Sequence, residues 1–79
     1  MDRAELAVTV RTQVALVVGV DVAQIEESTN LRTEYGIDSL ELMEIGTRLE
    51  NELGVRFQVE NLMDLECVKD AIDLLGERV

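Results

Sequence analysis

With a single cysteine, Cys67, and no histidine, this chain can be held together neither by an internal disulfide nor by a Cys/His zinc cluster. Its 79 residues must therefore be folded by aliphatic packing, in a domain near the lower size limit for doing so. Hydrophobic residues make up 47% of the chain, and Tyr35 and Phe57 are its aromatics, so the core has to be leucine, isoleucine, valine and methionine. Such a core suits helices whose contacts lie close in sequence, and the absence of proline agrees with that.

Charge narrows the possible partners. Seventeen acids against seven bases give a net charge of −10 at pH 7. That charge repels nucleic-acid phosphates and anionic lipid surfaces, so neither nucleic acid nor membrane is an expected partner. It suits docking on basic patches of other proteins, although solubility also accounts for acidity. No apolar run approaches the length of a membrane span, and the opening Met1-Asp2-Arg3-Ala4-Glu5 does not resemble a signal peptide. A cytoplasmic monomer is expected. No stretch has the alternating ligands and central glycine of a calcium-binding EF-hand loop, and no catalytic constellation is present, so neither a metal site nor an enzyme is expected.

Periodicity predicts an all-α fold in one domain, residues 1–79: a small bundle of three main helices plus one short helix, with a long loop between the first two. From about Asp2 to Val18 the residues Leu6, Val10, Val14 and Val17 recur at helical spacing, and Gly19 supplies a stop. Asp21 caps a short turn through Ile25. The rest of residues 19–37 reads as a polar loop pinned by Leu31 and Ile37. The second main helix runs from about Ser39 to Leu53 and closes at Gly54. Val55 and Phe57 fit an extended connection, followed by a brief turn near residues 60–63. Asp64 is the expected N-cap of a last helix from Leu65 to about Leu75, which turns Leu65, Val68, Ile72 and Leu75 inward.

The candidate site lies at the start of the second helix, in Gly36-Ile37-Asp38-Ser39-Leu40-Glu41. Gly36 permits a sharp turn, and Asp38 or Ser39 can cap the first-turn N–H groups. Without a histidine the serine has no imidazole partner, so it reads as a residue that is acted upon rather than a nucleophilic catalyst. At about 100° per residue, Leu42, Ile45, Leu49 and Leu53 share one helix face with Gly46 beside them, whereas Leu40, Met43 and Thr47 form a separate stripe. That second stripe is either a partner surface, flanked by Glu41 and Glu44, or a seat for the long loop. Arg48 can pair with Glu44 and Glu52 at i±4.

These features resemble the acyl carrier protein family. The resemblance rests on Leu31-x3-Tyr35-Gly36-x-Asp38-Ser39-Leu40, the acidic second helix and Leu65-Glu66-Cys67-Val68-Lys69-Asp70-Ala71-Ile72, within a chain of matching length, charge and helix order. It implies that Ser39 carries a 4′-phosphopantetheine arm, derived from coenzyme A, on whose thiol acyl intermediates ride as thioesters. It gives Asp38 the role of positioning the modifying phosphopantetheinyl transferase. It makes Leu40, Glu41, Met43, Glu44 and Thr47 the docking face for acyltransferase- and ketosynthase-type enzymes with basic patches.

Four residues depart from the family pattern. Tyr35 stands where a smaller aliphatic residue is common and Glu34 where aspartate is usual, while Gly46 and Arg48 dilute the acidic, strongly helical second helix. The last two fit a carrier of polyketide or related specialised biosynthesis, with fatty-acid and peptidyl carriers as alternatives. Leu42, Ile45, Phe57, Leu62 and Ile72 could line a shelter for the acyl chain, although ordinary core packing uses the same residues. A rival of another class is an acidic helical interaction module whose serine is only a cap.

Overall fold

The computed structural model describes residues 2–78; Met1 and Val79, the ends of the expected domain, lie outside the described residues. Three long helices form the frame: α1 (Arg3–Val18), α3 (Ser39–Leu53) and α5 (Val68–Arg78). Two five-residue helices, α2 (Leu31–Tyr35) and α4 (Val59–Met63), sit in the connections. Both α3 and α5 pack against α1, and α4 packs against α3. Among the described residues no β-strand forms, and no helix is long and apolar enough to cross a membrane.

Helices α1 and α3 each begin where an aspartate side chain accepts a first-turn N–H, whereas the first N–H groups of α5 donate to backbone carbonyls of the first loop. The Asp2 carboxylate accepts from the Glu5 N–H, so α1 starts at Arg3. Its periodic residues Leu6, Val10 and Val14 are buried against Leu42, Ile45 and Leu49 of α3 and Val68, Ile72 and Leu75 of α5 in one core. All three of these α3 residues come from the face expected to be buried; Leu53, at the end of the helix, is half-buried.

The long first connection holds more structure than its polar composition announces. Asp21 caps a 3-10 turn at Val22–Gln24, and Ile25 is driven fully into the core. The Arg11 guanidinium of α1 donates to the carbonyls of Ile25 (2.6 Å) and Val22 (3.2 Å), fastening the turn to the bundle. Further on, Asn30 Oδ1 accepts from the N–H groups of Arg32 and Thr33, and Glu34 reaches back to the Asn30 N–H. This double cap makes a helix, α2, of a segment expected to be loop. Leu31 and Ile37 are both buried and act as the predicted pins.

The last helix begins three residues later than expected. Asp64 closes α4, its N–H donating to Glu60 and Leu62, instead of capping α5. Residues 65–67 are kept extended because the Leu31 N–H donates to Glu66 O (2.8 Å) and the Val68 N–H to Thr29 O (3.0 Å). These bonds tie the first loop across the bundle in an isolated antiparallel bridge, Asn30 to Cys67. Only after them does α5 start, with the Asp70 carboxylate accepting from the N–H groups of Cys67 and Glu66, each at 3.1 Å. Leu65 is still buried, from the connection rather than the helix.

That carboxylate predicts an acid response. The Cys67 N–H, joined by that of Glu66, holds Asp70 below the usual carboxylate range against the opposing effect of desolvation. A depressed folded value stabilises the fold above the unfolded value, and the contribution disappears as pH falls below about 4. Asp70→Ala is expected to cost about 1 kcal/mol at pH 7 by urea unfolding. The gap from wild type should shrink steadily between about pH 5 and pH 2. A gap independent of pH would show that the carboxylate is not the capping species. The comparison between variants is needed because acid also relieves the self-repulsion of a −10 domain.

Candidate functional site

The start of α3 is a corner built by two adjacent caps. Gly36, at φ +61°, takes the left-handed conformation that ends α2, and its N–H donates to carbonyls of that helix. The Ile37 N–H bonds Leu31 O at 3.1 Å while its side chain is buried, so the chain is anchored immediately before the turn. Asp38 then adopts extended backbone and its Oδ1 accepts from the Glu41 N–H at 2.9 Å. Glu41 Oε1 accepts from the Asp38 N–H at 3.2 Å, completing a capping box.

Asp38, then, is the cap, and Ser39 occupies the first helical position. The Ser39 side chain is exposed, and among the described residues no hydrogen bond engages its hydroxyl. Its N–H and that of Leu40 likewise have no acceptor among the described residues. Such groups at the head of a 15-residue helix favour a phosphate on the neighbouring oxygen. Asp38 opposes by like charge, but its carboxylate is turned to the Glu41 N–H. The residues present thus fit a phosphate ester at Ser39 Oγ.

The second stripe of α3 lies open. Leu40 is 77% exposed and Met43 43%, with Thr47 also exposed, so the long loop does not cover them. Their acids are not equally free. Glu41 is half-buried and committed to the capping box, and Glu44 Oε2 accepts from Arg48 Nε at 3.1 Å. Arg48 pairs with Glu44 and not with Glu52, which leaves the middle of the stripe nearly neutral.

What the sequence reading missed is how the corner is braced. Arg32, on the short α2, donates from Nη2 to Met63 O (2.5 Å) and from Nε to Leu65 O (3.4 Å). It thereby links the segment leading to Ser39 with the far end of α4. The Asn30…Glu34 cap pattern was the available signal for α2; nothing local signals the reach of Arg32.

Comparison with known proteins agrees with this geometry. The family described as "Phosphopantetheine attachment site" matches residues 8–75. An acyl carrier protein of Saccharopolyspora erythraea is 35% identical over 74 residues, spanning 94% of this chain and 78% of the relative. Acyl carrier protein 2 of Pseudomonas aeruginosa is 35% identical over 75 residues, spanning 95% of each. A 31% identical stretch covers 91% of this chain but 3% of the non-reducing polyketide synthase pkdA of Emericella nidulans. In three dimensions the chain is similar to the apo doublet acyl carrier protein from prodigiosin biosynthesis, solved in solution, with a TM-score of 0.80 at 25% identity. That similarity covers 95% of this chain and 36% of the solved one. The chain belongs to the acyl carrier protein family. Membership brings with it a covalently attached 4′-phosphopantetheine as prosthetic group.

Proposed function

We propose that residues 1–79 form one acyl carrier domain that holds acyl intermediates as thioesters on a 4′-phosphopantetheine arm at Ser39 and hands them to partner enzymes of polyketide or related specialised biosynthesis. The observation that carries the assignment is the position of Ser39: exposed, its hydroxyl without a hydrogen bond among the described residues, and freed from capping by Asp38. An arm from coenzyme A joins as a phosphodiester: Ser39 Oγ forms the new P–O bond to the pantetheine-bearing phosphorus as the pyrophosphate P–O bond of coenzyme A breaks, and adenosine 3′,5′-bisphosphate leaves. The proton of the hydroxyl goes to a base of the phosphopantetheinyl transferase, since the chain has no histidine to take it. Asp38 sits next to the reacting oxygen and positions the transferase. The arm supplies a thiol for thioester exchange; the chain itself does no catalysis and binds no resident metal.

The synthase setting is supported by the similarity to a stretch of a polyketide synthase and by the near-neutral Glu44–Arg48 pair on the docking stripe. Partners are a transferase and then acyltransferase- or ketosynthase-type enzymes whose apolar recesses take Leu40 and Met43, with basic groups reading the acids. A −10 monomer working in the cytoplasm, away from nucleic acid and membrane, is consistent with that role.

The direct test is intact mass after incubation with coenzyme A and a transferase. Gain of one phosphopantetheine supports the carrier; no gain where a control carrier is modified leaves the acidic interaction module. A second measurement addresses docking. Glu44→Lys reverses a charge and breaks the Glu44–Arg48 pair, costing α3 a few tenths of a kcal/mol. It is expected to slow arm attachment by about tenfold at low ionic strength. That difference should fade near 1 M salt, where screening acts within about 3 Å. An unchanged rate at low salt rejects the docking face.

A further inference from the structure

The bases of this chain are few, and most of them are spent on the fold. Of the seven, Arg3 and Lys69 pair with Asp73, and Arg78 bonds Asn61. Arg11 and Arg32 are used on backbone carbonyls, of the 3-10 turn and of the end of α4. Arg48 and Arg56 remain. Arg48 meets Glu44 through Nε alone, so its Nη1 and Nη2 edge has no acceptor among the described residues, and its side chain is 42% exposed. Arg56 is exposed just beyond Gly54 and makes no hydrogen bond or ion pair among the described residues.

Both lie toward the far end of the open stripe. Leu40, Met43 and Thr47 continue at helical spacing to Asn51, which is exposed as well. Asn51 and Arg56 then share a hollow with Glu50, Gly54 and Val55 at the foot of α3. Glu50 is committed there, because its Oε2 accepts from the Phe57 N–H at 2.8 Å. Charge along the face is therefore polarised. From Asp38 to Thr47 there are three acids and no base, whereas from Arg48 to Arg56 two bases stand against two acids.

From this arrangement we infer that Arg48 and Arg56 are a cationic pole that receives a carboxylate of the partner enzyme, while that enzyme's basic patch takes the acids near Ser39. The free edge of a guanidinium matches a carboxylate in two parallel hydrogen bonds, which a point charge cannot do. Opposite contacts at the two ends of one helix also fix which way α3 lies on its partner, a register that a uniformly acidic face leaves open. A phosphate on Ser39 is not the anion concerned, since Arg48 lies about 14 Å further along α3 and half a turn round it. The inference rests on the carrier reading above.

The test follows arm attachment by intact mass with two phosphopantetheinyl transferases. One has a carboxylate beside its basic carrier-binding patch, and the patch of the other is uniformly basic. Arg48→Gln/Arg56→Gln is expected to raise KM about tenfold with the first enzyme at low ionic strength, with little change in kcat. Changing that enzyme's carboxylate to the amide should remove most of the difference between variant and wild type. With the second enzyme the variant should be loaded at least as fast as wild type, because only repelling charges are lost. A variant loaded by the first enzyme as fast as wild type, or faster, overturns the cationic pole. So does a loss that survives the amide change, or an equal loss with both enzymes, which marks a purely structural role. No mass gain for wild type, where a control carrier is modified, instead overturns the carrier reading and this inference with it.

Discussion

Replacing the serine at the head of α3, Ser39→Ala, is expected to abolish attachment of the phosphopantetheine arm entirely while leaving the free energy of unfolding within about 0.5 kcal/mol of wild type. The two outcomes separate because of where Ser39 sits. A capping serine would take about 1 kcal/mol with it when lost. Here the cap is Asp38, whose Oδ1 holds the Glu41 N–H, and the Ser39 hydroxyl has no bond of its own to lose among the described residues. Alanine also suits a first helical turn. Intact mass and urea unfolding on the same sample read both quantities. Ser28, the other serine of the chain, is exposed in a turn but does not begin a helix. Modification persisting in Ser39→Ala would move the attachment point there or elsewhere and refute the site.

Leu31→Ala is expected to destabilise the domain by about 2–5 kcal/mol. A domain of this size has on the order of 4–12 kcal/mol in total. Leu31 is 1% exposed, and its backbone is engaged in both directions: its N–H on Glu66 O, its carbonyl on the N–H of Ile37. Removing the side chain leaves a cavity at the point where the first loop, the strap before α5 and the approach to Ser39 all meet. Arm attachment should slow at temperatures where the variant is only partly folded, and recover on cooling into its stable range. Val8→Ala provides the contrast, because Val8 is 58% exposed on the outer side of α1 and should change stability by less than about 0.5 kcal/mol. Equal losses for the two would mean that Leu31 does not pin the loop.

Both predictions depend on features of unequal visibility in the sequence. The long helices could be read from spacing because each exposes one face and buries the other; the stripe of Leu42, Ile45 and Leu49 is a local signal. The open stripe of Leu40, Met43 and Thr47 was visible on the same wheel, but not whether the loop would lie over it. The loop was underestimated. Its helix α2 depends on Asn30 and Glu34 capping one another across a single turn, which polar composition conceals. The start of α5 was misplaced because Asp64 is a good local N-cap candidate. The hydrogen bonds that Glu66 and Val68 make with Leu31 and Thr29, more than thirty residues away in the chain, hold the segment out of the helix until Val68.

The amino-acid order by itself settled that the chain is helical, where its amphipathic faces lie, and that a lone serine heads an acidic helix, because capping and helical periodicity act over a few residues. The tertiary arrangement alone decided that the stripe of Leu40, Met43 and Thr47 stays uncovered, that α5 does not begin until Val68, and that Gly46 is a seat for Leu62 of α4. Side-chain rotamers and the approach of α4 are set by packing between segments far apart in sequence, where no local preference reaches.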